Sequence, residues 1–173
     1  MAKEFERTGS RLVSNRKAMI TFSTTVAQAI ATHAEATYPD ECVGLLLGRF
    51  ADTHKLVVAA YPVENRWAGQ VTLAETDDPE SRRDRFYLDP RDYLRADRAA
   101  QAQGLEVIGC YHSHPDHPAH PSARDLVGAQ GIGGSTFAFV IQRVDQGTAT
   151  ELTSWLLLDD TSAFEPEEVI VTD

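Results

Sequence analysis

The chain has 173 residues, 42% of them hydrophobic and 24% charged, enough apolar side chain for one domain to bury a core without staples. Sixteen basic residues against 26 acidic ones give a formal net charge of −10. The overall field therefore repels phosphate backbones and anionic lipid heads, which argues against nucleic-acid and membrane partners.

The two cysteines, Cys42 and Cys110, each lie inside an apolar run and read as small buried hydrophobes. Lys3, Glu4, Glu6 and Arg7 interrupt any apolar signal core, and no apolar stretch reaches the ~20 residues of a membrane helix. A reducing cytoplasm is the expected location.

Residues 1–17 are polar and aperiodic and read as a flexible leader, with 18–173 expected to form a single domain. The first strand is expected over Ala18–Ser23. Ser23 or Thr24 then caps a helix running to about Ala36, with Val26, Ile30, His33 and Ala34 on one side. His33 reads as a helix-face residue with no special role. Pro39 stops the helix, and Cys42–Leu47 is a near-continuous apolar run, the pattern of a strand covered on both faces. A turn at Asp52-Thr53-His54 leads into a strand over Lys55–Val63, and Arg85–Leu88 reads as a further short strand. The polar stretch Glu64–Asp84 between them is expected to be a long surface loop.

Asp89-Pro90 opens a helix that Gly104 closes. Leu105–Tyr111 is a second buried strand, Ser122–Gln130 a helix, and Thr136–Val144 and Leu152–Leu158 complete the sheet. Interleaved strands and helices predict an α/β protein with a mixed central β-sheet flanked by helices.

Four histidines, His112, His114, His117 and His120, fall within nine residues. His112 and His114 stand at i and i+2 where a strand ends, so both project from one face and can share a metal ion. The loop after them contains Pro115, Pro118 and Pro121, which lower the entropy of holding a third ligand in place. Asp125, one turn into the next helix, is that ligand. Taken alone, Ser122-Ala123-Arg124-Asp125 is close to a capping box, and a lone His-x-His is commonly just a polar loop. Joined by a proline-rich loop, they make a three-ligand site with an open fourth position. Cys110 shares the face of His112 and His114, which keeps a closed structural zinc site as a rival; that rival leaves Asp125 unexplained.

His112-Ser113-His114-Pro115, six further residues, then Ser122-Ala123-Arg124-Asp125 resembles the JAMM signature of the MPN+ (Mov34/JAB) metallopeptidases. The resemblance extends upstream through Tyr38–Gly48 and covers roughly residues 19 to 158. It implies an MPN, cytidine-deaminase-like fold, Zn2+ held by His112, His114 and Asp125, and Glu41 as general base toward a zinc-activated water. Residue chemistry alone does not separate Glu41 from Asp40 or Asp116. The resemblance also implies that Ser122 steadies the oxyanion.

In its compact prokaryotic branch the family implies hydrolysis of a peptide or isopeptide bond after the C-terminal Gly-Gly tail of a ubiquitin-like or sulfur-carrier protein. The alternative is a non-catalytic MPN scaffold or a structural-zinc interaction domain, and a homodimer is compatible with either. A zinc deaminase is weaker, because its His-x-Glu and Pro-Cys-x-x-Cys signature is absent. The substrate tail is expected along a sheet edge beside the metal, clamped by the 64–84 loop with Trp67. His117 and His120 read as rim residues. Arg91, Arg95 and Arg98 either meet an acidic carrier or, more plainly, pair with neighbouring aspartates such as Asp92 and Asp97.

Overall fold

The chain order is β1 (Met19–Ser23), α1 (Thr24–Thr37), β2 (Val43–Ala51), β3 (His54–Val63), α2 (Pro90–Gln101), β4 (Glu106–Pro115), α3 (Ala123–Gln130), β5 (Ala138–Asp145), β6 (Thr148–Leu157) and β7 (Phe164–Thr172). A computed structural model describes residues 18–70, 75 and 78–173; the expected leader over 1–17 and part of the 64–84 loop lie outside the described residues.

Each helix starts on a side chain that satisfies its free N–H groups. Ser23 Oγ accepts from Val26 N in α1, and the Asp89 carboxylate accepts from Arg91 N in α2, with Pro90 in the first turn. Ser122 opens α3 with a complete capping box. After α2 the chain reverses through Gly104 at φ +66°, a conformation that favours glycine.

Successive residues of β2 feed two cores. Leu46 joins Ile20, Phe22, Tyr111 and Val140 against the buried face of α1, which is Val26, Ile30 and Ala34. Val43, Leu45 and Leu47 join Cys110 and Phe139 against Ala96 and Ala100 of α2 and Ala129 of α3. One irregularity sets up the site. Leu46 pairs with Gly109 but Leu47 with Val107, so Ile108 is an extra residue in β4, a β-bulge. Ile108 and Tyr111, three apart, therefore share the first core. Beyond the bulge, Cys110, His112 and His114 all project on the side of α2 and α3.

The sheet is mixed, as expected, but a central sheet flanked by helices is not what forms. Its order is β1-β3-β2-β4-β5-β6-β7, closed into a barrel, because β1 pairs in parallel with both β3 and β7. Closure gives each described strand a neighbour on both sides over part of its length. It depends on β7, which was not expected as a strand because Glu165, Pro166, Glu167 and Glu168 are poor strand formers. Tertiary partners override that preference: Glu167 is buried, accepting from Lys55 Nζ at 2.5 Å and from Ser154 Oγ at 2.8 Å.

Arg85–Leu88, expected as a strand, is irregular. Tyr87 O accepts from Arg66 N at 3.4 Å, and two further backbone bonds go to a side chain. Tyr87 N donates to Asn65 Oδ1 at 3.1 Å, and Arg85 O accepts from Asn65 Nδ2 at 2.9 Å. β4 runs four residues beyond its expected end at Tyr111, so both histidines are strand residues.

Candidate metal centre

His112 pairs across the sheet with Val43. The ladder continues one step, with Ser113 N donating to Cys42 O at 3.2 Å and Cys42 N donating to Ser113 Oγ at 2.8 Å. Glu41 lies two residues ahead of β2, on the same side as Val43 by strand alternation, and lines one cavity with Asp125. His112, His114 and Glu41 are 2%, 6% and 5% exposed, so this polar cluster is carried on buried backbone.

Asp125 arrives from the first turn of α3. Its Oδ2 accepts from Ser122 N at 2.6 Å, while Asp125 N donates to Ser122 Oγ at 3.2 Å. The same carboxylate faces the histidines, with Oδ1 3.2 Å from His112 Nε2 and Oδ2 3.4 Å from His114 Nε2. The carboxylate that caps the helix is therefore the one that faces both histidines.

The two Nε2 atoms are 3.0 Å apart. Ligand atoms around a tetrahedral zinc with bonds of about 2.0–2.1 Å stand about 3.3 Å from one another, and the three separations bracket that value. The donor set also fits. Pro118 O can only accept, so His114 Nδ1 donates to it at 2.7 Å, leaving the Nε2 lone pair free on the side of Asp125. His112 Nδ1 is buried without a partner, and its ring stacks on Phe86 at 4.4 Å between centroids. Among the described residues, the group close enough to hold one ion is His112, His114 and Asp125, without Cys110.

Burial pushes His112 below the usual histidine range, against the opposing pull of Asp125. At His114 burial acts the same way, but the Asp125 carboxylate and the Pro118 carbonyl outweigh it and the net direction is upward. Burial would raise Asp125, yet the two imidazoles prevail and hold it far below the ordinary carboxylate range. Glu41 is raised well above its usual value, first by burial, then by the charges of Asp125 and Asp84. The directions thus favour the neutral form at His112 and Glu41 and the charged form at His114 and Asp125, a set of strongly perturbed groups in one cluster.

Glu41 is tied down through its backbone, its N donating to Arg82 O at 2.7 Å and its O accepting from Asn65 Nδ2 at 3.0 Å. Asn65 Oδ1 also accepts from Trp67 N and Tyr87 N, both at 3.1 Å. This buried amide thus joins the Glu41 segment to the loop that carries Phe86. Neither Asn65 nor Phe86 was expected at the site; one asparagine between Glu64 and Arg66 gives no periodic or motif signal.

Ser122 is exposed beside Asp125, with its hydroxyl oxygen occupied as an acceptor and its proton free to donate. His117 and His120 are exposed and stand outside the group of three; the His120 ring lies against Trp155 at 5.1 Å. His33 has a partner after all, its Nδ1 2.9 Å from the hydroxyl of buried Tyr111. Arg91 pairs with Asp89 at 2.6 Å and Arg95 with Asp92 at 2.5 Å, the plainer of the two expectations for these arginines. Among the described residues β1 pairs with β3 over His54–Val57 alone, so the 58–63 half of β3 is laddered on one side only. A cavity of about 300 Å³ opens beside the cluster, walled by Trp67, Phe86, Leu88 and Ile132 and reaching Glu41 and Asp125.

The family described as prokaryotic homologs of the JAB domain matches residues 23–158. A probable TtuB-protein conjugate cleaving protease from Thermus thermophilus is 33% identical over 88 residues, covering 51% of this chain and 48% of that protein. A desampylase from Pyrococcus furiosus is 44% identical over 43 residues, covering 25% of this chain and 31% of its own length. The chain thus spans half or less of these curated relatives. A solved structure of a protein from Salinibacter ruber is 38% identical with a TM-score of 0.63, covering 90% of this chain and 92% of that one. A match over most of the barrel, with the two histidines and Asp125 inside it, leaves one conclusion: this chain belongs to the prokaryotic JAB-domain family.

Proposed function

We propose that the chain is a JAMM-type zinc metallopeptidase that hydrolyses a peptide or isopeptide bond after the C-terminal Gly-Gly tail of a ubiquitin-like or sulfur-carrier protein. The observation that carries this reading is the convergence of His112, His114 and Asp125 on one point, with buried Glu41 and Asp125 lining one cavity. Zinc held by these three ligands would supply a Lewis acid, bring the pKa of a water in its open position toward about 7, and favour the ionised form of Glu41.

The chain's own residues supply the rest. Glu41, made more basic by burial, accepts the proton of the attacking water and returns it to the leaving amine. Ser122 donates its free hydroxyl proton to the carbonyl oxygen as charge develops there. Phe86 and Trp67 wall the approach and exclude water. The substrate class is supported by the relatives, whose names describe cleavage of a TtuB–protein conjugate and desampylation. A scaffold reading gives no reason to bury the Glu41 carboxyl beside Asp125, since burial and the Asp125 charge both disfavour its ionised form.

The test compares wild type with Glu41→Gln on a diglycine-tailed ubiquitin-like protein joined to a lysine side chain, on the same protein with one extra C-terminal residue, and on a free peptide of the tail. The expected result is cleavage of at least one tailed protein by wild type and its loss in Glu41→Gln with zinc content retained. A Glu41→Gln protein of normal rate would assign the base elsewhere, and a wild type that binds zinc but cleaves none of the three would refute the substrate class.

A further inference from the structure

The loop from His114 to Ser122 is held at its far side by strand β6. Register places Thr153 two strands from His112, through Ile141, a backbone separation of about 10 Å. The loop crosses that distance, and its two central carbonyls are both engaged. Pro118 O accepts from His114 Nδ1 at 2.7 Å, and the next carbonyl, Ala119 O, accepts from Thr153 Oγ1 at 2.7 Å. Thr153 Oγ1 in turn accepts from Trp155 Nε1 at 2.9 Å. A carbonyl oxygen can only accept, so the Thr153 proton points at Ala119 O, and the indole N–H takes a lone pair of the same hydroxyl. Ala119 is fully buried, and the His120 ring lies on Trp155 at 5.1 Å, covering this junction. His120, outside the group of three ligands, thus has a place as part of the anchor.

We propose that Thr153, fixed by Trp155, is a positioning residue of the metal centre: it holds the Pro118–Ala119 segment so that the Pro118 carbonyl keeps His114 in its Nδ1–H form with Nε2 free to bind metal. This rests on the reading of His112, His114 and Asp125 as zinc ligands. Groups that orient a metal-binding histidine are commonly worth 10–100-fold in metal affinity, and Thr153 acts one bond further out, which puts the effect near the lower end. Pro115, Pro118 and Pro121 restrict the loop but contribute no hydrogen-bond donor, so they leave Ala119 O to Thr153.

The experiment measures zinc affinity by competition with a chromophoric chelator, and the His114 tautomer in the metal-free protein by imidazole nitrogen NMR. Thr153→Val keeps the shape of the side chain and removes the hydroxyl. It is expected to weaken zinc binding about tenfold and to mix the His114 tautomers. Thr153→Ser is expected to stay within about twofold of wild type, and Trp155→Phe, which keeps the ring against His120, to lose about two- to threefold.

A Thr153→Val protein with wild-type affinity and a single Nδ1–H tautomer overturns the proposal, as does a Thr153→Ser protein as weak as the valine variant. Should Thr153→Val fail to fold, Trp155→Phe decides, with both readouts unchanged counting against the proposal. A wild type that binds no zinc refutes the metal reading itself, while the tautomer comparison still tests whether Thr153 orients His114.

Discussion

Replacing Glu167 with leucine is expected to destabilise the barrel by about 3–5 kcal/mol, the typical cost of stranding one charge of a buried pair. Lys55 Nζ lies 2.5 Å from Glu167 Oε1, and the two side chains are 4% and 0% exposed. The pair spans the closure. Lys55 is on β3 and Glu167 on β7, with β1 between them, Ile20 pairing with Lys55 on one side and Val169 on the other. Without Glu167 the ammonium keeps its burial and loses the acceptor that the structure provides. For a chain of this size the cost corresponds to a fall in Tm of about 6–20 °C.

Urea titration and thermal circular dichroism read this directly, and Lys55→Met should match it. The double variant Lys55→Met/Glu167→Leu should recover to within about 1 kcal/mol of wild type or better, because neither charge is then stranded. Single variants costing under about 1 kcal/mol, or a double variant showing the sum of both losses, would refute the reasoning.

Four further substitutions follow from the same structure. A Cβ on Gly44 would stand 2.3 Å from ring atoms of Tyr111 and 2.4 Å from its hydroxyl. Gly44→Ala is therefore expected to cost about 2–4 kcal/mol in urea unfolding, overpacking plus loss of the hydrogen bond to His33. A Cβ on Gly128 would meet nothing within 4 Å, so Gly128→Ala should stabilise α3 by up to about 1 kcal/mol. Gly128 lines the cavity beside Asp125, so Gly128→Leu should raise KM while leaving zinc content unchanged; an unaltered KM would exclude the substrate from this cavity. Ser122→Ala should lower kcat about 10²–10³-fold and remove about 1 kcal/mol of capping, and steady-state kinetics beside thermal unfolding separate the two effects.

Features set by neighbours in sequence were legible, and features set by distant pairing were not. The caps Ser23, Asp89 and Ser122 are local choices, and each helix begins where they stand. The spacing of His112 and His114 along a strand end, and of Asp125 within a first helical turn, is local as well. That is why a metal group was readable before any register was known. Glu41 was not separable from Asp40 or Asp116 on its own chemistry; the distinction arises from the Val43–His112 register and from burial, both long-range. β7 stayed hidden because what makes Glu167 tolerable in a strand is a lysine 112 residues away. Arg85–Leu88 shows the converse, a strand-like sequence with two backbone bonds that Asn65 supplies from another loop.

The central claim, that His112, His114 and Asp125 together hold one zinc, is tested most directly by metal content. Inductively coupled plasma mass spectrometry on protein purified without added zinc, and again after reconstitution and gel filtration, gives the stoichiometry per chain. One zinc per chain is expected in wild type, with its loss in His114→Ala and in Asp125→Ala while the folded circular dichroism spectrum is kept. Full zinc occupancy in either variant, or occupancy lost with Cys110→Ala and kept with Asp125→Ala, would contradict it.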